Sequence, residues 1–570
     1  MSPTAAAAIT PTSRPALDEA VAVVSEQRRA FARMTAAEKA KLLRSALRLL
    51  DEVAAGWVEA GCKAKRLPLG EALEGEEWFA GPIPTARNLR LLADSLEAIA
   101  KKGQPPLGRG VRTRPDGRVE IDVFPTSGWD ANLYRGMECS VLMLPGVDEK
   151  AAREKQAAFY KQRDPQGKLS LILGAGNVSS IPIMDVLAKM FIDGHVCVLK
   201  MNPVNEWVGP FIERTLAPMI ERNFVRVVYG GGDVGEYLCQ HPGVEDLHIT
   251  GSDKTHDRII WGPPGPEQER RKREHKPLLT KPITSELGNV SPVAVVPGEY
   301  SDAELAFQAR HLVTMVANNG SFNCNAAKML ITARGWPQRD RFLELVRQGL
   351  KQAPSRNAYY PGARERYAAL TAGRAIESFG EARDGMLPWT LIPQVDASRA
   401  DEPLFTTEPF CSILSHTEIG DGDPASFLAA ATTFCNDRLW GTLNAAIIID
   451  PRTEKAVAPA LDRAILDLRY GAVAVNMWPA ANYATVSPPW GGHPSATLEN
   501  IQSGLGWVHN TYLLEGVEKS VMRAPITLWP KPAWFFDHKN THLVGEKLTR
   551  FEIAPSALKL PGLTAAALRG

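Results

Sequence analysis

Cys324 is the residue whose setting in this sequence best suits a nucleophile. It follows a Gly/Asn-rich turn, Asn318-Asn-Gly-Ser-Phe-Asn-Cys324-Asn-Ala, and precedes a helix-like run. Backbone N–H groups near its sulfur would favour the thiolate; a small buried apolar cysteine is the alternative. Glu286 opens Glu286-Leu-Gly-Asn-Val-Ser-Pro292. A carboxylate at a strand end, before a glycine that permits a sharp turn, suits a general base or a solvated strand terminus. Asn177 ends Leu173-Gly-Ala-Gly-Asn177. Its amide could donate to an oxyanion or simply shape a turn.

A second group suits the phosphates and sugars of a nucleotide. Lys200 ends a predicted buried strand, and ligands of α/β sheets meet strand ends. Gly231 and Gly235 enclose a turn before a helix, and Gly251-Ser252 close the next strand. Glycines let backbone amides approach a pyrophosphate. The segment is not G-x-G-x-x-G, and a plain turn is the alternative reading.

These residues need a scaffold of alternating strands and helices. Leu169 to Leu173, Val196 to Leu199, Val225 to Tyr229 and a short strand ending at Ile249 alternate with helical stretches. That pattern predicts a parallel doubly wound sheet. Upstream, the spacing predicts a helix over 16–33. A capping box at Thr35-Ala-Ala-Glu38 then opens another helix, with Leu42, Leu43, Ala46, Leu47 and Leu50 on one face. Val119, Ile121 and Val123 alternate with Glu120 and Asp122, as in an edge strand with one wet face. Cys139 to Leu144 predicts its partner. Glu267 to Lys276, within 263–282, is a charge run read as a solvated insertion. The Trp- and Phe-rich stretch beyond Pro525 reads as an arm lying on the body.

At 570 residues, two or three domains are expected. Lys+Arg 65 against Asp+Glu 64 leaves a charge of +1, which gives no footprint for nucleic acid. No run approaches the ~20 apolar residues of a membrane span. Met1 to Pro15 lacks the pattern of a signal peptide and reads as a frayed tail. The cysteines Cys62, Cys139, Cys197, Cys239, Cys324, Cys411 and Cys435 form no CxxC pair. They suggest no zinc site and no disulfide framework, and a reducing cytoplasm fits best.

Taken in order, the Gly-turn Asn, strand-end Lys, GxxxG, Thr-Gly-Ser, Glu-Leu-Gly, Asn-x-Gly with its cysteine, Glu408-Pro-Phe410 and Pro-Trp-Gly-Gly492 resemble the aldehyde dehydrogenase superfamily, from about Ala16 to about Lys519. The resemblance implies an α/β fold. A Rossmann-type cofactor domain would take 16–118 and 151–284, and an α/β catalytic domain 285–505. A β-ribbon joining subunits would take 119–150 and 506–524, leaving 525–570 as a C-terminal arm. It implies Cys324 as nucleophile, Glu286 as base and Asn177 as half of the oxyanion hole. NAD or NADP would meet Lys200, Gly231, Gly235, Gly251, Ser252, Glu408 and Phe410. Asn436 and Gly441 would be structural.

The implied activity is oxidation of an aldehyde to a carboxylic acid through a thiohemiacetal and thioester, by a homodimer or homotetramer. A CoA-acylating relative and a non-catalytic scaffold of the same fold are the alternatives. Four departures mark a divergent branch. Asn289 replaces the second glycine of the Glu-Leu-Gly-Gly pattern, Ser321 replaces Gln, and Cys324 sits one residue late. Pro203 stands where many NAD-using members carry Glu, so a 2′-phosphate is expected to be tolerated.

Overall fold

Local signals set the N-terminal helices. The computed structural model describes residues 9–380, 383 and 385–570. Thr35 Oγ1 accepts from the Glu38 N–H at 3.2 Å, and Glu38 Oε2 accepts from the Thr35 N–H at 2.8 Å. This capping box opens the helix Ala36–Lys65, which buries Leu42, Leu43, Ala46, Leu47 and Leu50. The helix expected over 16–33 is two, Arg14–Glu26 and Arg28–Ala32, parted at Gln27. Of the tail expected to fray, residues 1–8 lie outside the described residues. Thr12 is tied down: its N–H donates to the Tyr229 carbonyl at 3.0 Å, and its hydroxyl accepts from the Tyr229 N–H at 2.9 Å.

The strands used below, in chain order, begin with β1 (Gly110–Thr113), β2 (Val119–Phe124) and β3 (Glu138–Met143). Then come β4 (Leu169–Leu173), β5 (Val196–Lys200), β6 (Val225–Val228), β7 (Asp246–Gly251) and β8 (Ile283–Leu287). The last group is β9 (Pro292–Val295), β10 (Met329–Ala333), β11 (Glu377–Phe379), β12 (Trp389–Ile392), β13 (Ile413–Ile419), β14 (Asn444–Ile448), β15 (Ala472–Val475) and β16 (Val517–Arg523). Among the described residues, β4 to β8 form a five-stranded parallel sheet in the order β6-β5-β4-β7-β8. Strand order reverses between β4 and β7, the switch point where such sheets take ligands.

A second sheet has eleven strands, ordered β1-β2-β3-β16-β15-β14-β9-β10-β13-β12-β11. Its run from β16 to β12 is parallel. The trio β1 to β3 is antiparallel and joins through β3 and β16. Two expectations change here. Val119 to Val123 lies in β2, which is paired on both sides and is not an edge. Its charged face is only partly wet: Glu120 is buried and pairs with Arg112 at 2.7 Å and Arg114 at 3.2 Å, while Asp122 stays half-exposed. The boundary expected at 284/285 runs through β8, the edge strand of the five-stranded sheet, so Glu286 belongs to that sheet.

The charge run forms the helix Pro266–Arg273, with Arg270 paired to Glu267 at 2.8 Å and Glu274 at 3.1 Å. The C-terminal arm is more than a surface strap. Phe535 packs on Phe307 and stacks on His311, with ring centroids 5.0 and 5.1 Å apart. The helix Thr541–Ile553 delivers Glu552 into a buried ionic cluster. There Arg87 bonds Asp130 at 2.6 Å and Glu552 at 2.9 Å, and Arg90 pairs with Glu552. Breaking a buried pair strands a charge without compensation. Glu552→Ala is therefore expected to cost about 3–5 kcal/mol, to lower Tm, and to open residues 525–570 to limited proteolysis. An unchanged Tm and digestion pattern would mean that the cluster does not hold the arm.

Candidate functional site

The C-terminal edge of the five-stranded sheet gathers most of the residues singled out by sequence. Asn177 follows β4, Lys200 ends β5, Gly231 follows β6, Gly251 and Ser252 close β7, and Glu286 lies near the end of β8. Gly231 precedes the helix Gly232–Gln240, which contains Gly235, and the Ser252 hydroxyl caps the helix Asp253–Trp261. Strands are ~4.8 Å apart, so β5 and β8 are separated by ~14 Å. That span suits an extended ligand lying from Lys200 toward Glu286.

Cys324 comes from the other sheet. The turn before it carries three successive left-handed residues, Asn319 (φ 52°), Gly320 (φ 65°) and Ser321 (φ 70°). Lys328 holds this turn by donating to the Ser321 carbonyl at 2.7 Å and hydroxyl at 3.0 Å. The turn brings the Cys324 thiol close enough to the Glu286 carboxyl for each to influence the other's protonation. Glu286 is buried, and its Oε1 accepts from Trp490 Nε1 at 2.9 Å. Burial raises its pKa to about 7 against the lowering effect of its two hydrogen-bond partners. Burial and the carboxylates of Glu286 and Glu408 hold the Cys324 thiol well above its ordinary value, with its own N–H the opposing influence. The expectation that turn amides would favour thiolate is corrected: desolvation outweighs them.

Asn177 meets the same turn. Its Nδ2 donates to the Phe322 carbonyl at 2.9 Å, leaving the second amide hydrogen of the group. Its carbonyl accepts from Asn319 Nδ2 at 3.0 Å, Tyr359 Oη at 3.1 Å and Lys65 Nζ at 3.4 Å. Lys65 is paired with Glu77 at 2.7 Å, and both are buried. The N-terminal helices therefore clamp the turns that carry Asn177 and Cys324. Sequence reasoning missed Lys65 and Glu77, because no local pattern marks a pair whose partners lie more than a hundred residues away.

Glu408 and Phe410 reach the site from the segment before β13. A Cβ at position 288 would stand 2.0 Å from Glu408 Oε2, so a side chain there would push the Glu408 carboxyl out of its place. Glu408 Oε1 is enclosed and has no hydrogen-bond partner. Burial raises the Glu408 pKa and lowers that of neighbouring Lys328. Phe410 packs edge-on to Tyr360, centroids 4.9 Å apart. The departure at Asn289 also has a use. Asn289 Nδ2 donates to the Asn444 carbonyl at 2.9 Å, while Asn444 Nδ2 donates to Asn289 Oδ1 at 3.1 Å and to the Cys324 carbonyl at 3.2 Å. Gly441, at φ +91°, makes room, since a Cβ there would lie 2.4 Å from that of Asn289. Asn436 is removed from the site and ties down Asp467 and Arg469.

The dinucleotide end carries one surprise. Lys200 is buried, which lowers its pKa, and the charges opposing that shift include Asp233 and Glu206. Pro203 has no carboxylate, but the helical turn Glu206–Val208 returns one to the same lysine. Its sequence offset, three residues past the usual position, concealed it. The residues present fit a dinucleotide: an unpartnered carboxylate oxygen at Glu408, a strand-end lysine, and open space around Gly232.

Cys324 also lines a cavity of about 130 Å³ walled by Phe79, Ile83, Met137, Met477, Trp478 and Trp534. Among the described residues, no three His, Cys, Asp or Glu side chains group to hold a metal ion, and no helix is long and apolar enough to cross a membrane.

Comparison with known proteins agrees with this architecture. The aldehyde dehydrogenase family model matches residues 139–364. Human 4-trimethylaminobutyraldehyde dehydrogenase is 24% identical over 224 residues, 38% of this chain and 39% of that protein. Aminoacetaldehyde dehydrogenase of Pseudomonas aeruginosa is 27% identical over 306 residues, 50% of this chain and 54% of its own. The chain thus spans about two fifths to a half of the curated relatives it matches. The crystal structure of a Mycobacterium tuberculosis aldehyde dehydrogenase complexed with NAD+ superposes with TM-score 0.61 at 17% identity, covering 90% of this chain and 91% of that one. NADP-dependent glyceraldehyde-3-phosphate dehydrogenase from Bacillus halodurans, complexed with NADP, gives 0.59 at 17% identity, covering 90% and 92%.

The other six cysteines are buried and Cys324 is half-buried. Cys324 is expected to be alkylated by iodoacetamide well ahead of them. Burial raises the Glu286 pKa to about 7, so the rate should rise as pH passes that value and frees a base beside the thiol, and Glu286→Gln should remove the inflection. Peptide mapping that finds another cysteine labelled first would contradict this arrangement.

Proposed function

We propose that this chain, which belongs to the aldehyde dehydrogenase superfamily, oxidises an aldehyde to a carboxylic acid, with NAD as the hydride acceptor. The observation that carries the reading is the placing of the Cys324 thiol beside the buried Glu286 carboxyl, which Trp490 Nε1 holds at 2.9 Å. A thiol whose pKa is held up needs a base in contact, and Glu286, poised near neutrality, suits that task.

In this mechanism Glu286 accepts the thiol proton and Cys324 Sγ attacks the aldehyde carbon. The resulting oxyanion lies within reach of the Cys324 N–H and the second amide hydrogen of Asn177. Such donors typically contribute ~10²–10³ in rate. A dinucleotide held by Lys200, the Gly231 turn, Ser252, Glu408 and Phe410 would supply the hydride acceptor that leaves a thioester on Cys324. Having passed its proton to solvent, Glu286 takes another from the attacking water. The tetrahedral adduct expels the Cys324 thiolate and the acid departs. A base beside the thioester favours hydrolysis over transfer to CoA, so turnover is expected to be indifferent to added CoA.

Glu286→Gln is expected to lower kcat by about 10²–10⁴ and to abolish the rise in activity through pH 7. The absorbance of reduced nicotinamide reads both. A variant with wild-type turnover would return Glu286 to a structural role.

The cofactor end gives a separate expectation. Glu206 and Asp233 lie near enough to Lys200 to oppose the lowering of its pKa, and a like charge repels a 2′-phosphate. NAD is expected to be preferred, and Glu206→Gln to move the NADP/NAD ratio of kcat/KM upward by about tenfold. An unchanged ratio would show that discrimination resides elsewhere.

A further inference from the structure

We infer that the cavity at Cys324 selects uncharged, branched or aromatic aldehydes, and that the C-terminal arm sets this preference through Trp534. The inference rests on the proposed oxidation and adds its substrate class. The wall beside Met477 and Trp478 draws on segments distant in sequence: Phe79 and Ile83 from the N-terminal helices, Tyr134 and Met137 from the loop before β3, and Trp534 from the arm. Trp534 is held in place by its neighbour. Phe535 is buried against Phe307 and His311, and the Phe536 N–H donates to Thr314 Oγ1 at 3.2 Å.

Most polar groups of the lining are engaged by protein partners. Glu76 is its one carboxylate, and no Lys, Arg or His lines it among the described residues. Glu76 Oε1 accepts from Arg356 Nη1 at 2.7 Å and Oε2 from the Asn319 N–H at 2.9 Å, so both oxygens are engaged and the charge is balanced by the Arg356 guanidinium. Asn323 Nδ2 donates to Asn318 Oδ1 at 2.9 Å, and Trp478 Nε1 to the Asn325 carbonyl at 2.7 Å. Asn325 Oδ1 is enclosed without a partner. An amide oxygen is neutral and would offer a cation a dipole but not a counter-charge. An ammonium group entering this cavity would lose its hydration and find no free counter-charge. The aromatic faces offer it some attraction, but less than the cost of desolvating a charge. A neutral apolar group loses nothing comparable and gains the contact area.

The test uses two non-reactive isosteres that differ in one atom and its charge, 5,5-dimethylhexan-1-ol and (4-hydroxybutyl)trimethylammonium, titrated calorimetrically into the full-length protein. The neutral probe is expected to bind at least about tenfold more tightly, the scale set by hydrophobic-pocket discrimination. Trp534→Ala should remove most of that advantage and Trp534→Phe should retain it. Trp529→Ala, on the same arm but 81% exposed and outside the lining, should leave binding unchanged. Equal or tighter binding of the cation, no binding of either probe, or an unaffected Trp534→Ala would overturn the inference. Selective binding of the neutral probe by a protein that oxidises neither 5,5-dimethylhexanal nor its trimethylammonium counterpart would sink the oxidation reading and leave the cavity's selectivity standing.

Discussion

A carboxyl group buried beside a thiol organises this protein. Glu286 is kept from water at the end of β8, with Trp490 on one oxygen and the Cys324 thiol nearby. Burial makes both groups reluctant to ionise, and it raises the Glu286 pKa to about 7, where a carboxyl can both take and release a proton near neutrality. The two residues stand on different sheets. Glu286 belongs to the five-stranded sheet, and Cys324 follows a turn packed into the eleven-stranded one. Contact between them therefore requires the sheets to be locked in register.

That locking is achieved by polar groups that the chemistry itself does not consume. Lys65 and Glu77, a buried pair on the N-terminal helices, reach both the Asn177 carbonyl and Asn319. Asn289 and Asn444 brace the Cys324 carbonyl from the other side. Losing one partner of such a network exposes the others to the full cost of an unsatisfied buried group. The same logic applies to the arm, where Arg87, Asp130 and Glu552 fasten the C-terminus against the ribbon strands. Trp534 can wall the cavity because this anchoring fixes the chain around it.

Features set by short-range physics were legible in the sequence. The Thr35 capping box, the strand Leu169–Leu173 and the ordered Gly, Lys and Asn turns all follow from periodicity and turn chemistry within a few residues. Features set by long-range pairing were not. The alternation in Val119–Val123 looks the same whether the polar face meets water or, as here, Arg112 and Arg114. The Cys324 turn promised an activated thiolate, but the burial that overrides it depends on the partner sheet. Glu206 was hidden by an offset of three residues, and Trp534 by its position in a tail with no motif. Asn289 stood out as a departure, yet its bond to Asn444 could only be found in three dimensions.

The central claim, that Cys324 and Glu286 act as nucleophile and base on one substrate, is tested most directly by looking for the covalent intermediate. Wild-type protein mixed rapidly with NAD and an apolar aldehyde, quenched in acid within one turnover and digested, should yield the peptide containing Cys324 with its mass increased by the corresponding acyl group, hydroxylamine should remove the added mass, and Glu286→Gln protein should gain the same mass more slowly. An unmodified Cys324 peptide while acid is still being formed, or the acyl group on a different residue, would contradict the account.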